Sequence, residues 1–429
     1  MQGVRVGALL GLLYASGEAF GWGPPFRPHG GPDRHLTIEE QVEKILRENP
    51  LIDGHDDLPW LIRSEYQNHI YQDNFTTGFV HGGLEGHVDL PGLEKGQVGG
   101  TFWSVYVQCP ENWANFADEN YYLRVRQTTE QVDVWLRLQE AYPEIFSEPP
   151  NGTTALQQFY DGKIISPMGI EGLHSIGNSL ANLRNFHARG VAYAGLTHNC
   201  HNIYADSAVS ELPDGSLKKA DPYWHGVSEA GRKLVYEMNR IGMIVDLAHV
   251  SADTMRDILG GGKDGWSGSR APIMFSHSSA YSICPHPRNV PDDVLKLVKE
   301  RNSVVMVTFA PGFISCTPSN NANGLPDFDE EHSTLERVVE HVLYVADLIG
   351  FDHIGLGSDF DGLDEMPRGL ENSSKWPDLV AEFLRRGISE ENIIKVIGGN
   401  ILRVWKDVDR VAHEMKAEGA LPVEDEPSS

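Results

Sequence analysis

The stretch Pro50-Leu-Ile-Asp-Gly-His-Asp-Asp57 decides the fold: a short apolar run ends in two potential metal ligands, His55 and Asp57. The same arrangement recurs along the chain. Glu171 closes Ile164-Ile-Ser-Pro-Met-Gly-Ile-Glu171, His249 closes Met243-Ile-Val-Asp-Leu-Ala-His249, and His277 closes Ile273-Met-Phe-Ser-His277. Asp359 follows His353-Ile-Gly-Leu-Gly-Ser-Asp359 in the same way. Short apolar runs of this kind read as strands covered on both faces. Parallel barrels build their active sites at the C-terminal ends of their strands. These residues are therefore expected on one rim.

Working outward, the predicted strands are Leu51–Gly54, Gly100–Val107, Ile164–Ile170, Ala192–Thr197, Met243–Leu247, Ile273–Ser276, Val304–Phe309 and Ile354–Gly357. Helical patterns fill the gaps: Gln127–Ala141, Leu180–Ala188, Ser228–Arg240, Ser251–Leu259, a helix opened by Pro291-Asp-Asp-Val, Leu335–Ile349 and Ile393–Trp405. Ser251 reads as an N-cap, and proline with acidic residues suits a first helical turn. Eight strands with intervening helices predict an α/β chain folded as a (β/α)8 TIM barrel; a doubly wound open sheet is the structural alternative. The long polar gap from Asp56 to Gly99 is expected to carry extra strands or a loop over the site.

The chain has 429 residues, which suits a barrel with insertions. Apolar residues make up 40% and charged residues 22%, as a packed core requires. With 35 basic against 61 acidic residues the net charge is −26, which argues against nucleic acid or an anionic lipid surface as partners. Arg5 precedes an apolar run from Val6 to Ala15, and Ala15-Ser16-Gly17 supplies small residues. That reads as a signal peptide over 1–19, too short to span a bilayer, which takes roughly 20 residues. A Gly-, Pro- and His-rich linker is expected over 20–38, the catalytic domain over 39–415 and a disordered acidic tail over 416–429. No apolar tail of a lipid-anchor signal closes the sequence. The expectation is a secreted, extracellular protein without stable membrane insertion.

Cys109, Cys200, Cys284 and Cys316 form no CxxC pair. An even count behind a signal peptide suggests two disulfides. Asn74-Phe-Thr76, Asn151-Gly-Thr153 and Asn372-Ser-Ser374 are glycosylation acceptors in an exported chain.

Three imidazoles and two carboxylates on one rim are the right mix for two zinc ions. His55 and Asp57 alternate on an extended segment, so both can face one ion. Glu171 can bridge two ions through its two oxygens, and His249 and His277 can complete the second. Such a pair shares a water and lowers its pKa toward neutrality, giving a bridging hydroxide nucleophile. With 18 histidines in the chain, most are structural or on the surface. His69, His81, His87, His187, His201, His225, His332, His341 and His413 lack the strand-end context and read as ordinary. Asp246, inside a strand run, reads as a buried structural acid. Gly355-Leu-Gly357 is not a nucleotide loop, because no third glycine or following helix start appears.

Seven ordered motifs resemble the membrane (renal) dipeptidase family. They are Ile52-Asp-Gly-His-Asp-Asp-Leu-Pro59, Gly169-Ile-Glu-Gly172, Leu196-Thr-His-Asn-Cys200, Asp246-Leu-Ala-His-Val-Ser251, Phe275-Ser-His-Ser-Ser-Ala-Tyr-Ser282, Arg288-Asn-Val-Pro-Asp-Asp293 and Gly357-Ser-Asp-Phe-Asp-Gly362. The likeness runs from about residue 40 to 408. It implies a zinc peptidase on an amidohydrolase-like barrel. By position, His55, Asp57 and Glu171 would hold one zinc, and Glu171, His249 and His277 the other. His198 would contact the scissile carbonyl. Arg288 would hold a dipeptide's carboxylate, a task suited to a guanidinium fork. Asp359 would pass the proton to the leaving amine and help seat the α-amino group. The resemblance also implies pairing of Cys109 with Cys200 and of Cys284 with Cys316. The expected partners are dipeptides, with a homodimer entertained as the assembly.

The chain departs from the family in places. Asp56 stands where Asn is usual, Gly172-Leu173 where Gly-Gly is common, and Cys284-Pro-His-Pro-Arg288 is unusually rich in proline and histidine. Zinc dipeptidase is the leading functional expectation. The alternatives are a related barrel hydrolase of non-peptide amides, a Cys-Gly dipeptidase in a conjugate-processing pathway, and a barrel that has lost catalysis and only binds.

Overall fold

A computed structural model describes residues 36–262 and 265–425. The expected signal peptide, and the linker up to residue 35, lie outside the described residues. Eight parallel strands close into a barrel in chain order. They are β1 (Leu51–Asp56), β2 (Val98–Tyr106), β3 (Met168–Glu171), β4 (Val191–Gly195), β5 (Ile244–Asp246), β6 (Met274–Phe275), β7 (Val304–Thr308) and β8 (Ile354–Gly357). β8 returns to pair with β1 through Leu356 and Asp53. Closure excludes the open doubly wound sheet. Nearly every residue of these strands is buried, which is why the sequence runs are continuously apolar rather than alternating.

Each predicted strand is present, shifted by a few residues at most. The largest shift is at β3, where Pro167 cannot donate to the ladder; Ile164 and Ile165 make only isolated bridges before it. The expected helix Ile393–Trp405 is interrupted by a π-helical turn, Lys395–Gly399, before Asn400–Ala417 continues. There Gly398 packs on the first strand: a Cβ at that position would stand 2.2 Å from the Pro50 carbonyl.

Two expectations need correction. The gap after β1 carries three helices, not strands: Leu58–Tyr66, Asp73–His81 and Leu90–Lys95. Phe75 and Phe79, one helical turn apart, are fully buried and anchor the second, a spacing obscured by the polar residues around it. The acidic tail is not free from residue 416. The last helix runs to Ala417, and Arg270 holds Glu418 at 2.5 Å. Val423 then bonds Glu237 and Arg184, at 3.1 and 3.0 Å, and Asp425 accepts from the Ala181 N–H at 2.9 Å. At the other end, Thr37 caps a helix starting at Ile38, so the linker stops one residue short of its expected limit.

The interior at the start of the strands is apolar: Ile52, Phe102, Ile165, Ile244, Met274, Val304 and Met306 pack with Ile401, Val404 and Trp405 of the last helix. Burying a large apolar side chain stabilises by about 1.5–3 kcal/mol. The disulfides are Cys109–Cys200 and Cys284–Cys316, the pairing the resemblance implied.

Candidate metal centre

The polar residues collect at the other end of the barrel. His55 and Asp57 lie at the end of β1 and Glu171 at the end of β3. His249, His277 and Asp359 follow β5, β6 and β8 by two or three residues. All six are buried. Glu171 Oε1 is the hub. It lies 2.8 Å from His249 Nε2, 3.5 Å from His277 Nε2, 3.6 Å from His55 Nε2 and 3.9 Å from His198 Nε2. His55 Nε2 also stands 3.2 Å from Asp57 Oδ2 and 3.9 Å from Asp359 Oδ1. The donors thus fall into overlapping groups: His55–Glu171–His277, Glu171–His198–His249 and His55–Asp57–Asp359.

Neighbouring side chains orient each imidazole. His55 Nδ1 bonds the Tyr193 hydroxyl at 2.8 Å, which turns Nε2 inward. Tyr193 fits because position 169 is glycine: a Cβ there would come within 2.0 Å of its ring. His249 Nδ1 bonds Asn199 Oδ1 at 3.0 Å. His277 Nδ1 bonds Ser276 Oγ at 2.9 Å, and that hydroxyl donates to Asp246 Oδ2 at 2.7 Å. Such outer partners fix the tautomer and raise ligand basicity. Asp246 is the buried structural acid expected, and it also steadies His277. Tyr193 and Asn199 were not anticipated. Asn199 adjoins His198 in the Thr-His-Asn motif, whereas nothing around Tyr193 in sequence marks it.

The site fits a cation because polar atoms are left over. His55 Nε2 and Asp57 Oδ1 are buried without a hydrogen-bond partner; Arg288 Nε and Nη1 are also unpartnered but, as donors, suit an anion. Unsatisfied buried groups of this kind are costly and call for a ligand. His249 and Asp359 also take left-handed backbone, at φ 68° and 67°. For non-glycine residues that costs about 1–3 kcal/mol each and clusters at functional sites. Arg288 Nη2 lies 2.8 Å from His277 Nε2. It uses the lone pair an ion would take, so guanidinium and cation compete there.

Burial and charge set the protonation states. Burial pushes the His55 imidazole down, but the Asp57, Glu171 and Asp359 carboxylates outweigh it and hold it at about 10. Burial raises Glu171 well above the carboxylate range, against the pull of His55. It raises Asp359 to about 6, again against His55. It lowers His198, His249 and His277 well below the usual imidazole value, keeping them neutral.

Two further groups are excluded as metal donors. Cys109 and Cys200 lie beside His174, but their sulfurs are joined to each other. Asp361 joins none of the donor groups and accepts the His87 backbone N–H at 2.6 Å. His87 is therefore not a bystander: its Nδ1 in turn accepts from the Asp361 N–H at 3.0 Å.

The sequence pattern of the membrane dipeptidase family, peptidase family M19, matches residues 39–419. The chain is 44% identical to the dipeptidase aclJ of Aspergillus oryzae over 405 residues, 93% of this chain and 88% of that protein. It is 44% identical to the dipeptidase tcpJ of Claviceps purpurea, over 90% of this chain and 82% of that one. The fold is shared with a probable dipeptidase, PvdM, from Pseudomonas aeruginosa, at a TM-score of 0.73 and 21% identity over 87% of this chain and 99% of that one. Among the described residues no helix is long and apolar enough to cross a membrane. The chain is a member of the membrane dipeptidase family.

Proposed function

We propose that this chain is a zinc-dependent dipeptidase with two ions at the C-terminal rim. His55 and Asp57 would hold one ion and His249 and His277 the other, with Glu171 within reach of both sets. One observation carries the reading: four imidazole Nε2 atoms converge within 3.9 Å of one Glu171 oxygen. When bound, the zinc pair supplies Lewis acidity and a water acidic enough to act near neutral pH.

The chain's own residues do the rest. Arg288 presents unpartnered N–H groups at Nε and Nη1 and takes the substrate's carboxylate in a charge-assisted pair. His198, kept neutral by burial, packs against Tyr106 at 4.8 Å and against His249 at 4.2 Å. From there it donates an N–H to the carbonyl oxygen as negative charge develops. Asp359 takes a proton from the attacking water and hands it to the leaving nitrogen; burial raises its carboxyl above the ordinary value, which suits such transfer. Asp359 also stands within the His55–Asp57 donor group. We assign it to proton transfer because His55, Asp57 and Glu171 would suffice for that ion without it. We also read the chain as exported, with 1–19 as its leader, since disulfides persist in oxidising compartments. Asn74 and Asn151 are exposed, so they are better placed for glycans than half-buried Asn372.

The test is hydrolysis of a dipeptide library by purified protein, with and without chelator. Dipeptide cleavage that stops on chelation and returns with zinc is expected. Turnover indifferent to chelation, or confined to non-peptide amides, contradicts the reading.

A further inference from the structure

Besides its Nη2 contact with His277, Arg288 is held by the loop around Phe313. Its Cζ lies 4.9 Å over the centroid of the half-buried Phe313 ring, and that ring also neighbours His286, with centroids 4.5 Å apart. His286 Nδ1 accepts the Arg288 backbone N–H at 3.2 Å. Burial and the adjacent guanidinium push the His286 imidazole down to about 3, so it packs against Phe313 as a neutral ring, tilted by 35°.

The turn carrying Phe313, Pro311–Ile314, is bound to the Arg288 loop at several points. The Cys284–Cys316 disulfide joins the two segments. Asn289 Nδ2 donates to the Phe313 carbonyl at 2.7 Å and to the Cys284 carbonyl at 2.9 Å. Behind them, His341 bonds the Ile314 carbonyl at 2.9 Å and the Ala280 N–H at 3.1 Å. These contacts leave Nε and Nη1 of Arg288 buried and without a protein partner.

We propose that Phe313, His286 and the Cys284–Cys316 link form a clamp that fixes the plane of the Arg288 guanidinium, so that its free N–H groups meet the substrate carboxylate in one orientation. A planar fork pairs with a carboxylate only when the planes align. An arginine stem has several rotatable bonds, and freezing them at binding costs affinity. A ring already stacked on the guanidinium removes part of that cost, and a desolvated cation–π contact is among the stronger ones. Phe313 and His286 are positioning residues: they act through Arg288. The inference rests on Arg288 as the carboxylate site.

The experiment compares L-Ala-L-Ala with its C-terminal amide, using zinc-loaded full-length enzyme. Calorimetry with reduced-amide analogues of both gives affinity independently of turnover. F313L is expected to raise KM and Kd for the free acid about 5–30-fold. Its kcat should change less than about threefold, and the amide should be affected little. F313Y should restore discrimination between acid and amide, and C284A/C316A should shift the acid in the same direction as F313L. Unchanged acid affinity in F313L overturns the clamp. So does equal loss on acid and amide, which makes the ring a pocket wall. If C284A/C316A does not fold, F313L and F313Y decide. If the wild type cleaves no dipeptide, the functional reading fails, while the analogue affinities still judge the clamp.

Discussion

The two ends of this barrel are made by the same eight strands and obey opposite rules. At the strand starts, Ile52, Ile244, Met274, Val304 and Met306 are buried in one apolar cluster with Trp405. At the strand ends the residues are equally buried but polar, and several atoms lack partners. One end supplies stability. The other spends some of it on a preorganised site, including the left-handed backbone at His249 and Asp359. Tyr193 connects them: it packs with the apolar end and presents its hydroxyl to His55.

The comparison predicts that substitutions at the two ends fail differently. Glu171→Gln should give the largest loss, at least about a thousandfold in turnover with metal released, because the hub oxygen loses its charge. Its melting temperature should match or exceed that of metal-free wild type, since a buried carboxylate is gone; a collapse of the fold instead would blur the division between the ends. Trp405→Ala should do the reverse. It should cost about 3–5 kcal/mol in denaturant unfolding while the folded fraction keeps its kcat. Ser276→Ala is subtler. Without its hydroxyl, His277 loses its orienting partner, and metal affinity should fall about 10–100-fold by competition with a chelator. An unchanged affinity would reduce Ser276 to packing.

Glu237 gives the smallest effect and lies away from both ends. Burial favours its neutral form, but Arg240, Arg184 and the Val423 N–H outweigh that and hold the carboxyl below its ordinary value. Its contribution is therefore present above the unfolded carboxylate range and lost as pH falls through the lower folded value. Glu237→Gln should cost about 1–3 kcal/mol at neutral pH. The gap from wild type should close on acidification below about pH 4. A constant gap down to pH 3 would assign the effect to packing of the tail.

The barrel was legible because its strands are buried on both faces, so each reads as an unbroken apolar run ending in a polar residue. The candidate donor set was read from position: His55, Asp57, Glu171, His249 and His277 each close such a run, and the fold brings them to one rim. The outer partners were not legible in the same way. Tyr193 reaches His55 across 138 residues, through space that Gly169 leaves open. No local pattern encodes that contact. The helices after β1 were missed because polar residues mask the Phe75–Phe79 spacing. The tail was misread because acidic composition suggests disorder, whereas Glu418 and Asp425 find partners on the barrel body. Asp359 and Asp361 lie two residues apart, and their contacts separate them: Asp359 stands near His55, whereas Asp361 bonds His87.

The central claim is that five residues hold two ions and Asp359 moves a proton. Elemental analysis of Asp359→Asn beside wild type, both purified without chelator, tests it most directly. The account predicts about two zinc ions per chain in each, with turnover of the variant lower by at least about a hundredfold. Folded, active wild type carrying one ion or none would contradict the bridged pair, and loss of an ion from the variant would make Asp359 a ligand.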